Sequence, residues 1–186
     1  MNMSIRLIVL LIFLMAFAVV CSDENPFDQR DDEPPPSPAN MVWIENDTVA
    51  AGERVAIDVF MENNEPLTGI VIPLTYADTT VSLDSLSFIG SRIEDLEIKG
   101  SEIDFENQQV AIYAYSSDRE LIDSGSGLVC RLYFWVYGYS PTHDITIDSV
   151  SIPSALRLAF MDSVGIAYTP QFEPGILHVE GFDTKQ

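Results

Sequence analysis

Gln109–Val136 reads QVAIYAYSSDRELIDSGSGLVCRLYFWV and contains two segments in which the side chains alternate strictly between two faces. In the first segment one face consists of Val110, Ile112 and Ala114, and the other of Ala111, Tyr113 and Tyr115. In the second segment one face consists of Leu128, Cys130, Leu132, Phe134 and Val136, and the other of Val129, Arg131, Tyr133, Trp135 and Tyr137. A period of two predicts β-strands that are buried on one side. Both outward faces carry aromatic rings, where a purely solvated face would carry charge.

The same alternation extends on both sides of this stretch and predicts an all-β domain. About nine short strands separated by turn residues are typical of a two-sheet antiparallel β-sandwich. Pro73, on the outer face of one predicted strand, indicates irregular or incomplete pairing there. The alternation shifts by one residue at Asp84-Ser85, which indicates a bulge or a corner. For the charged, weakly patterned region Arg92–Phe105 we expect a loop with one short strand.

The N-terminal residues have the pattern of an export signal. One positive side chain, Arg6, precedes the apolar run Leu7–Cys21. These 15 residues are fewer than the ~20 that span a bilayer as a helix, so a signal is favoured over a retained membrane anchor. Cleavage after Ala16-Phe17-Ala18 would give a secreted chain. Ala18-Val19-Val20-Cys21 resembles a bacterial lipobox, with Cys21 as the lipidated residue, and we favour this lipoprotein interpretation slightly.

Composition divides the chain into four regions. We predict a signal over residues 1–21, an acidic Pro-rich tether over 22–40, a β-sandwich over 41–181 and a short tail over 182–186. The tether contains five prolines and almost no core-forming residues, so it cannot bury enough apolar surface to fold. The predicted location is therefore outside the cytoplasm, as a cell-envelope or cell-surface lipoprotein or as a secreted protein.

The charge of the chain restricts its partners. There are 29 acidic and 9 basic residues, for a formal net charge of −20. Such a field repels DNA, RNA and anionic membranes. We therefore predict no nucleic-acid partner, and contact with a membrane only through an N-terminal lipid. Protein or glycan partners should be neutral, basic or bridged by a cation.

Residues that could carry catalysis are few. The two histidines, His143 and His178, belong to no GxSxG or HExxH arrangement. Cys130 lies on the apolar face of a predicted strand, where a buried core residue is favoured over a reactive thiol. We predict that the chain is not an enzyme and has no catalytic residue.

One acidic loop, with Asp118, Glu120 and Asp123, has the oxygen ligands that calcium prefers. It lacks the regular D-x-D-x-D-G spacing of calcium loops, so a solvated acidic turn is favoured. We expect no metal or cofactor in this chain.

Six motifs in order resemble the cohesin modules of bacterial cell-surface and cellulosome scaffolds, over about 42–179. They lie in Thr48–Ile57, Leu67–Leu83, Ala111–Asp118, Gly127–Leu132, Ile145–Val150 and Pro174–Val179. The resemblance implies a nine-stranded jelly-roll sandwich, a fold shared with some carbohydrate-binding modules. It also implies a non-enzymatic role in binding another protein.

Cohesins hold a calcium-loaded dockerin module of a partner through the outward face of the sheet that contains the third, sixth and eighth strands. Carried over by position, the resemblance implies a partner-binding face here with Val71, Pro73, Ala111, Tyr113 and Tyr115. The best-known cohesins have polar and acidic residues at the positions of Val71 and Tyr115, so this face is more apolar. The predicted partner is an exported protein, with a dockerin-bearing one as first candidate, and any calcium would belong to that partner. The alternative is that a loop such as Arg92–Phe105 covers the two tyrosines.

Tyr133, Trp135 and Tyr137 form a second outward ladder. Aromatic rings at this spacing can stack on sugar rings, which would make the chain a carbohydrate-binding module with a polysaccharide partner. Packing of the rings against cross-strand neighbours is favoured over that use. A purely structural envelope lipoprotein is the third hypothesis.

Overall fold

The computed structural model describes residues 40–116, 121–152 and 156–181, all within the unit Ser37–Gln186. These residues form strands and no helix, so the predicted all-β class is confirmed. The strands are β1 (Met41–Ile44), β2 (Asp47–Ala50), β3 (Arg54–Asn63), β4 (Leu67–Thr75), β5 (Val81–Ser87), β6 (Ile98–Asp104), β7 (Gln109–Tyr115), β8 (Gly125–Val136), β9 (His143–Ser149), β10 (Ala159–Asp162), β11 (Ala167–Tyr168), β12 (Gln171–Glu173) and β13 (Gly175–Glu180). Cys21, the predicted signal and the predicted tail lie outside the described residues, so these assignments stay predictions.

The strands form two sheets that pack face to face. The five-stranded sheet has the order β12-β1-β3-β8-β5. In the other sheet, β4 pairs with β7, which pairs with the edge strand β6. The other side of β4 is shared by β10 and β9, and β9 continues to β13 and β2. We call this second sheet the large sheet. Within the described ranges, no helix has the length and apolarity needed to cross a membrane.

Pairing is mixed rather than purely antiparallel, and strands are more numerous than the nine predicted. β1 runs parallel to β12, and β2 runs parallel to β13, so each pair joins an early strand to a late one. The sequence indicated one or two strands in the region of β10 and β11, but not β2 or β12, which have four and three residues. Strands as short as β2 and β12 are too brief to show alternation, which is why the sequence pattern did not predict them.

A β-bulge changes the predicted faces of β8. Val59 pairs with Cys130 and Phe60 with Leu128, which leaves Val129 as the extra residue. Val129 is fully buried in the core, whereas Leu128 is only half-buried. The prediction that Leu128 faces the core and Val129 faces outward is therefore wrong. Beyond the bulge, the face assignment from Cys130 to Val136 is confirmed.

Two other irregularities lie where the sequence predicted them. In β5 the register shifts between Leu83 and Ser85, as expected from the change in alternation. Pro73 lies in β4 between the part that pairs with β10 and the part that pairs with β9. Its carbonyl accepts a hydrogen bond from the Val150 N–H at 3.1 Å, on the side where the neighbouring strand changes. Because Pro has no N–H to donate, this break in pairing is where it fits.

The core lies between the two sheets and is built from the inward faces of their strands. Tyr76 and Phe134 are among its largest side chains, and their rings pack edge to face with centroids 5.2 Å apart. Burying an aliphatic or aromatic side chain of this size stabilises the fold by about 1.5–3 kcal/mol. This layer fixes which side chains of each strand point away from the core.

Candidate functional site

The five residues predicted to bind a partner lie together on the outer face of the large sheet. In the register of β4 and β7, Val71 is opposite Tyr113, and Pro73 is opposite Ala111. Tyr115 is two residues beyond Tyr113 on β7 and points to the same side. The alternating inward residues of both strands belong to the core between the sheets.

Only the two tyrosines of this group have substantial exposure. Val71 is 8% exposed and Ala111 is 2% exposed, and Pro73 is buried as well. Val71 and Ala111 do not belong to the cluster of core residues between the sheets, so they are covered from the outside. The expectation that these three residues form an exposed patch is therefore wrong. Tyr113 and Tyr115 are half-buried.

Ile152 and Leu156, which are described residues between β9 and β10, lie beside these buried side chains. After β9 the chain hydrogen-bonds to β4 through Val150, and an isolated bridge pairs Ile152 with Leu156. Ile152 and Leu156 line one groove with Ala111, and Leu156 lines a second groove with Val71. The region Arg92–Phe105, considered as a cover from sequence, instead contributes the edge strand β6.

Two glycines leave the space that the tyrosine rings occupy. Gly100 of β6 is paired with Tyr113, and a Cβ at Gly100 would lie 2.6 Å from the Tyr113 hydroxyl and 2.8 Å from its Cζ. Gly69 of β4 is paired with Tyr115, and a Cβ there would lie 2.8 Å from Tyr115 Cδ1 and would overlap Met161 Cε. Each ring therefore rests on the strand next to its own. The two ring centroids are 6.2 Å apart.

Two grooves follow this face. One, of about 310 Å³, lies between the β6–β7 hairpin and the Ile152–Leu156 bridge. The other, of about 450 Å³, lies beside Tyr115 and Met161 and includes Arg157 in its lining. Leu156 lines both grooves. The tyrosines and the grooves thus form one continuous surface, which we call the tyrosine face.

Carboxylates line the hairpin side of the tyrosine face. They are Glu102, Asp104 and Glu106, whereas Asp144 and Asp148 of β9 lie on the same sheet outside the lining of both grooves. The sequence showed these residues only as part of a general acidic excess. The register of β6 against β7 places Glu102 opposite Ala111 and so brings it to this face.

Asp104 shapes the hairpin. Its Oδ1 accepts the backbone N–H groups of Glu106 and Asn107, each at 3.0 Å, and its Oδ2 accepts Nδ2 of Asn107 at 2.7 Å. The hydrogen bond from the Asn107 side chain, followed by that from its backbone, lowers the pKa of Asp104. The carboxylate is therefore ionised and fixed at neutral pH.

Each of the two histidines contacts an aspartate of another part of the chain. His143 Nε2 lies 3.1 Å from Asp78 Oδ2 and 3.1 Å from the Thr80 hydroxyl. His178 Nδ1 lies 2.6 Å from Asp144 Oδ1 on the outer face of the large sheet. Thr80 contacts the same ring nitrogen that contacts Asp78. This geometry differs from a nucleophilic triad, in which the nucleophile and the carboxylate use opposite nitrogens.

The second aromatic ladder, Tyr133, Trp135 and Tyr137, lies at the C-terminal end of β8 in the five-stranded sheet. Tyr133 and Trp135 are on the outer side of β8, and the Arg54 guanidinium carbon lies 5.7 Å from the centroid of the Trp135 ring. Trp135 is 39% exposed. Tyr137 lies beyond the end of the strand, and its ring stacks on Tyr139 at 5.5 Å. Tyr133 and Trp135 therefore share the outer side of β8, and Tyr137 follows directly after the strand.

A ring pair that the sequence reasoning missed lies on the same outer side. Trp43 of β1 and Phe60 of β3 are paired across the strands and stack at 5.4 Å with an interplanar angle of 12°. The alternation of Trp43 with the buried Val42 and Ile44 would have indicated its outward direction. Between this pair and Trp135, Arg131 binds Asp58 through two hydrogen bonds of 2.6 and 2.8 Å.

The remaining predicted site residues give no binding chemistry. Cys130 is fully buried, as predicted, and burial raises the pKa of its thiol. Asp118 and Glu120 of the acidic loop lie outside the described residues, so the calcium hypothesis is untested there. Within residues 40–116, 121–152 and 156–181, no group of three or more His, Cys, Asp or Glu side chains could hold a metal ion.

Comparison with other proteins gives matches among solved structures only. No protein-family model matches the chain, and a search of curated proteins finds no match. A chain from a type I cohesin–dockerin complex of Clostridium thermocellum is 15% identical with a TM-score of 0.65, and the match covers 76% of this chain and 99% of that one. The seventh ScaB type I cohesin of Pseudobacteroides cellulosolvens is 15% identical with a TM-score of 0.65, covering 80% and 96%.

A third similar structure comes from outside cellulosomes. The non-cellulosomal cohesin of Archaeoglobus fulgidus is 14% identical with a TM-score of 0.60, and the match covers 76% of this chain and 91% of that one. The resemblance seen in the sequence motifs is thus confirmed at the level of the fold. The described domain is a jelly-roll sandwich with the fold of cohesin modules.

Proposed function

We propose that this chain is a non-enzymatic binding module that holds a partner protein through the tyrosine face. The observation that carries the proposal is the pair of half-exposed rings, Tyr113 and Tyr115, each lying over a glycine of the neighbouring strand. Rigid aromatic side chains give large contact areas and lose little conformational entropy on binding. Val71, Pro73 and Ala111 lie beside these rings on the same outer face.

A dockerin-type protein is the first candidate for the partner. The similar Clostridium thermocellum structure is a cohesin–dockerin complex, and the tyrosine face is on the sheet that the sequence motifs indicated. The carboxylates around the rings and the net charge of −20 favour a partner whose contact surface is basic at its rim. Any calcium would be bound by the partner.

Export to the cell envelope or surface is part of this proposal. It is supported by the apolar run Leu7–Cys21 and the acidic, Pro-rich residues that follow it. A lipid on Cys21 would retain the module at a membrane, and cleavage after Ala18 would release it. The intact mass of the mature protein distinguishes the two: acyl chains on an N-terminal Cys21 support the anchor, and an N-terminus at Val19 excludes it.

The test is capture of the partner from the envelope extract of the producing cells, followed by cross-linking. We expect Tyr113→Ala with Tyr115→Ala to lose the captured protein, because the variant removes both rings from the contact. Tyr133→Ala with Trp135→Ala removes two rings from the opposite face and is the matched control, which should still capture. Circular dichroism and thermal unfolding verify that both variants are folded.

The cross-links and a chelator complete this test. Cross-links to residues of the tyrosine face, together with loss of capture when calcium is removed, support a dockerin-type partner. Equal capture by the folded tyrosine variant and the unchanged protein contradicts the proposed face. Capture of nothing by any form leaves a structural envelope protein as the better account.

Carbohydrate binding is a second candidate, favoured by one observation. Trp43, Phe60 and Trp135 lie on the same outer face of the five-stranded sheet, and the first two rings are stacked nearly parallel. Titration of soluble polysaccharides while recording Trp fluorescence tests it. A saturable change that is lost in Trp135→Ala supports a glycan site, and no change with any polysaccharide leaves these rings with a packing role.

A further inference from the structure

The smaller groove of the tyrosine face has two chemically different parts. On one side its lining is apolar and consists of Ala111, Ile152 and Leu156. On the other side its lining is the β6–β7 hairpin, with Phe105 and the carboxylates Glu102 and Glu106. The Phe105 ring is 62% exposed. The groove therefore joins an apolar base to an anionic rim beside an accessible aromatic ring.

The carboxylates of this rim differ in their hydrogen bonds within the chain. Asp104 is occupied by the hydrogen bonds that shape the hairpin turn. Glu102 and Glu106 are exposed, and among the described residues the ion pairs involve other acidic side chains. The second groove of the same face has Arg157 in its lining, so the two grooves differ in charge. Only the smaller groove has a purely acidic rim.

We propose that the smaller groove receives a lysine or arginine side chain of the partner protein. The methylene stem of such a side chain packs on apolar surface while its charged end stays at the rim. At that rim the carboxylates of Glu102 and Glu106 accept charge-assisted hydrogen bonds, and Phe105 offers a ring face for a cation–π contact. The occupant is taken from the proposed function, because a partner protein is needed to supply the side chain.

The hairpin presents these groups in a fixed arrangement. Asp104 caps the turn, and Gln108 in the same turn has a φ of 55°, in the left-handed region. β6 and β7 are paired along their whole length, from Ile98 with Tyr115 to Asp104 with Gln109. A preformed site of this kind loses little conformational entropy when a side chain enters.

The test uses small probes, so that it does not depend on finding the partner. Nα-acetyl-arginine methylamide and Nα-acetyl-lysine methylamide are titrated into the isotope-labelled protein while backbone amide NMR shifts are recorded. The citrulline and norleucine analogues are the neutral controls of similar shape. We expect saturable shifts at Ile103–Gln109, Ala111 and Leu156, with cationic probes binding about threefold or more tightly than neutral ones.

Matched variants separate a local site from the general acidic field. Glu102→Gln with Glu106→Gln should reduce the affinity for the arginine probe to that for citrulline. Asp144→Asn with Asp148→Asn removes the same charge from the same sheet outside the groove, and should leave the probe affinity unchanged. Equal binding of arginine and citrulline, equal effects of the two variants, or shifts without saturation would each overturn the inference.

The two proposals fail in different ways. If probes do not bind the groove but Tyr113→Ala with Tyr115→Ala abolishes capture, the groove inference fails and the binding module stands. If probes bind as expected but no protein is captured, the groove stands as a cation-binding surface and the proposed function fails.

Discussion

Both outer faces of the sandwich carry outward aromatic rings in an alternating sequence pattern. They differ in whether their charged side chains form pairs within the chain. On the five-stranded sheet the basic side chains contact other side chains of the same chain. Arg131 binds Asp58. The Arg54 guanidinium lies over the Trp135 ring, and its Nη2 is 2.7 Å from Asp84 Oδ2. On the tyrosine face, by contrast, the aromatic rings lie over glycines of the neighbouring strands. The carboxylates of its hairpin rim lie outside the ion pairs formed among the described residues.

This difference indicates which face is built for a partner. A face whose charges are already paired must break those pairs or bury them when another protein binds, and both cost free energy. A face with unpaired carboxylates around fixed rings can form new pairs without losing old ones. Outward aromatic residues alone did not distinguish the faces; their polar neighbours do.

The largest expected effect on stability comes from filling the space under Tyr115. In Gly69→Ala the new Cβ would overlap Met161 Cε and lie 3.0 Å from the backbone oxygen of Ala114. Because a backbone oxygen cannot turn away, we expect a loss of about 2 kcal/mol in the free energy of unfolding. Urea unfolding followed by fluorescence measures it.

Gly100→Ala is the matched control for this prediction. Its Cβ would meet the far end of Tyr113, which can swing aside, and the loss of chain entropy in the unfolded state favours alanine by about 0.4–1 kcal/mol. We expect stability within about 0.5 kcal/mol of the unchanged protein. Similar losses of stability for both variants would contradict the idea that the atoms around Gly69 yield less easily to a new Cβ than those around Gly100.

A smaller loss of stability is expected from removing a paired carboxylate of the five-stranded sheet, and almost none from removing an unpaired carboxylate of the tyrosine face. Asp58 is mostly buried, with 15% of its side chain exposed, and accepts two hydrogen bonds from Arg131. Asp58→Ala should cost about 1.5 kcal/mol of unfolding free energy, because it removes charge-assisted hydrogen bonds. Glu102→Ala should change stability by less than about 0.5 kcal/mol.

Thermal and urea unfolding of both variants at low ionic strength provide the measurement. A cost for Glu102→Ala equal to that for Asp58→Ala would mean that the hairpin carboxylate has a structural role. In that case the contrast between the two faces would be wrong.

Much of the fold was predictable because it depends on local alternation. The faces of β7, the buried Tyr76 and the bulge near Asp84 all follow from which residues are apolar and how they are spaced. The outward direction of Tyr113 and Tyr115 was predictable for the same reason. A period of two gives the side to which a residue points, whatever its distant neighbours are.

What could not be predicted depends on residues far apart in the chain. The bulge at Val129 exists only relative to the pairing of β8 with β3. The buried Val71 and Ala111 lie beside Ile152 and Leu156, which come about 40–80 positions later in the sequence. Alternation shows the direction of a side chain but does not show what lies on top of it.

The corner at which the chain passes from one sheet to the other offers the smallest and most specific effect. Asp78 follows β4 and precedes β5, and its carboxylate accepts the backbone N–H of Thr80 at 2.7 Å and contacts His143 Nε2 at 3.1 Å. Burial alone would raise the pKa of Asp78. Hydrogen bonds from the hydroxyl and the N–H of Thr80, with the nearby His143, outweigh burial and lower that pKa below its ordinary value of 3.8.

A lowered pKa means that the folded protein binds the proton of Asp78 less readily than the unfolded chain does. The stabilisation is therefore complete above the ordinary pKa of 3.8 and is lost as the pH falls through the lower pKa of the folded state. We expect Asp78→Asn to be less stable than the unchanged protein by about 1 kcal/mol at neutral pH, with the difference shrinking in acid. Urea unfolding at a series of pH values down to the acid limit measures this. A difference that stays constant through that range would show that the charge of Asp78 does not hold the corner, and that the contacts joining the two sheets there are independent of its ionisation.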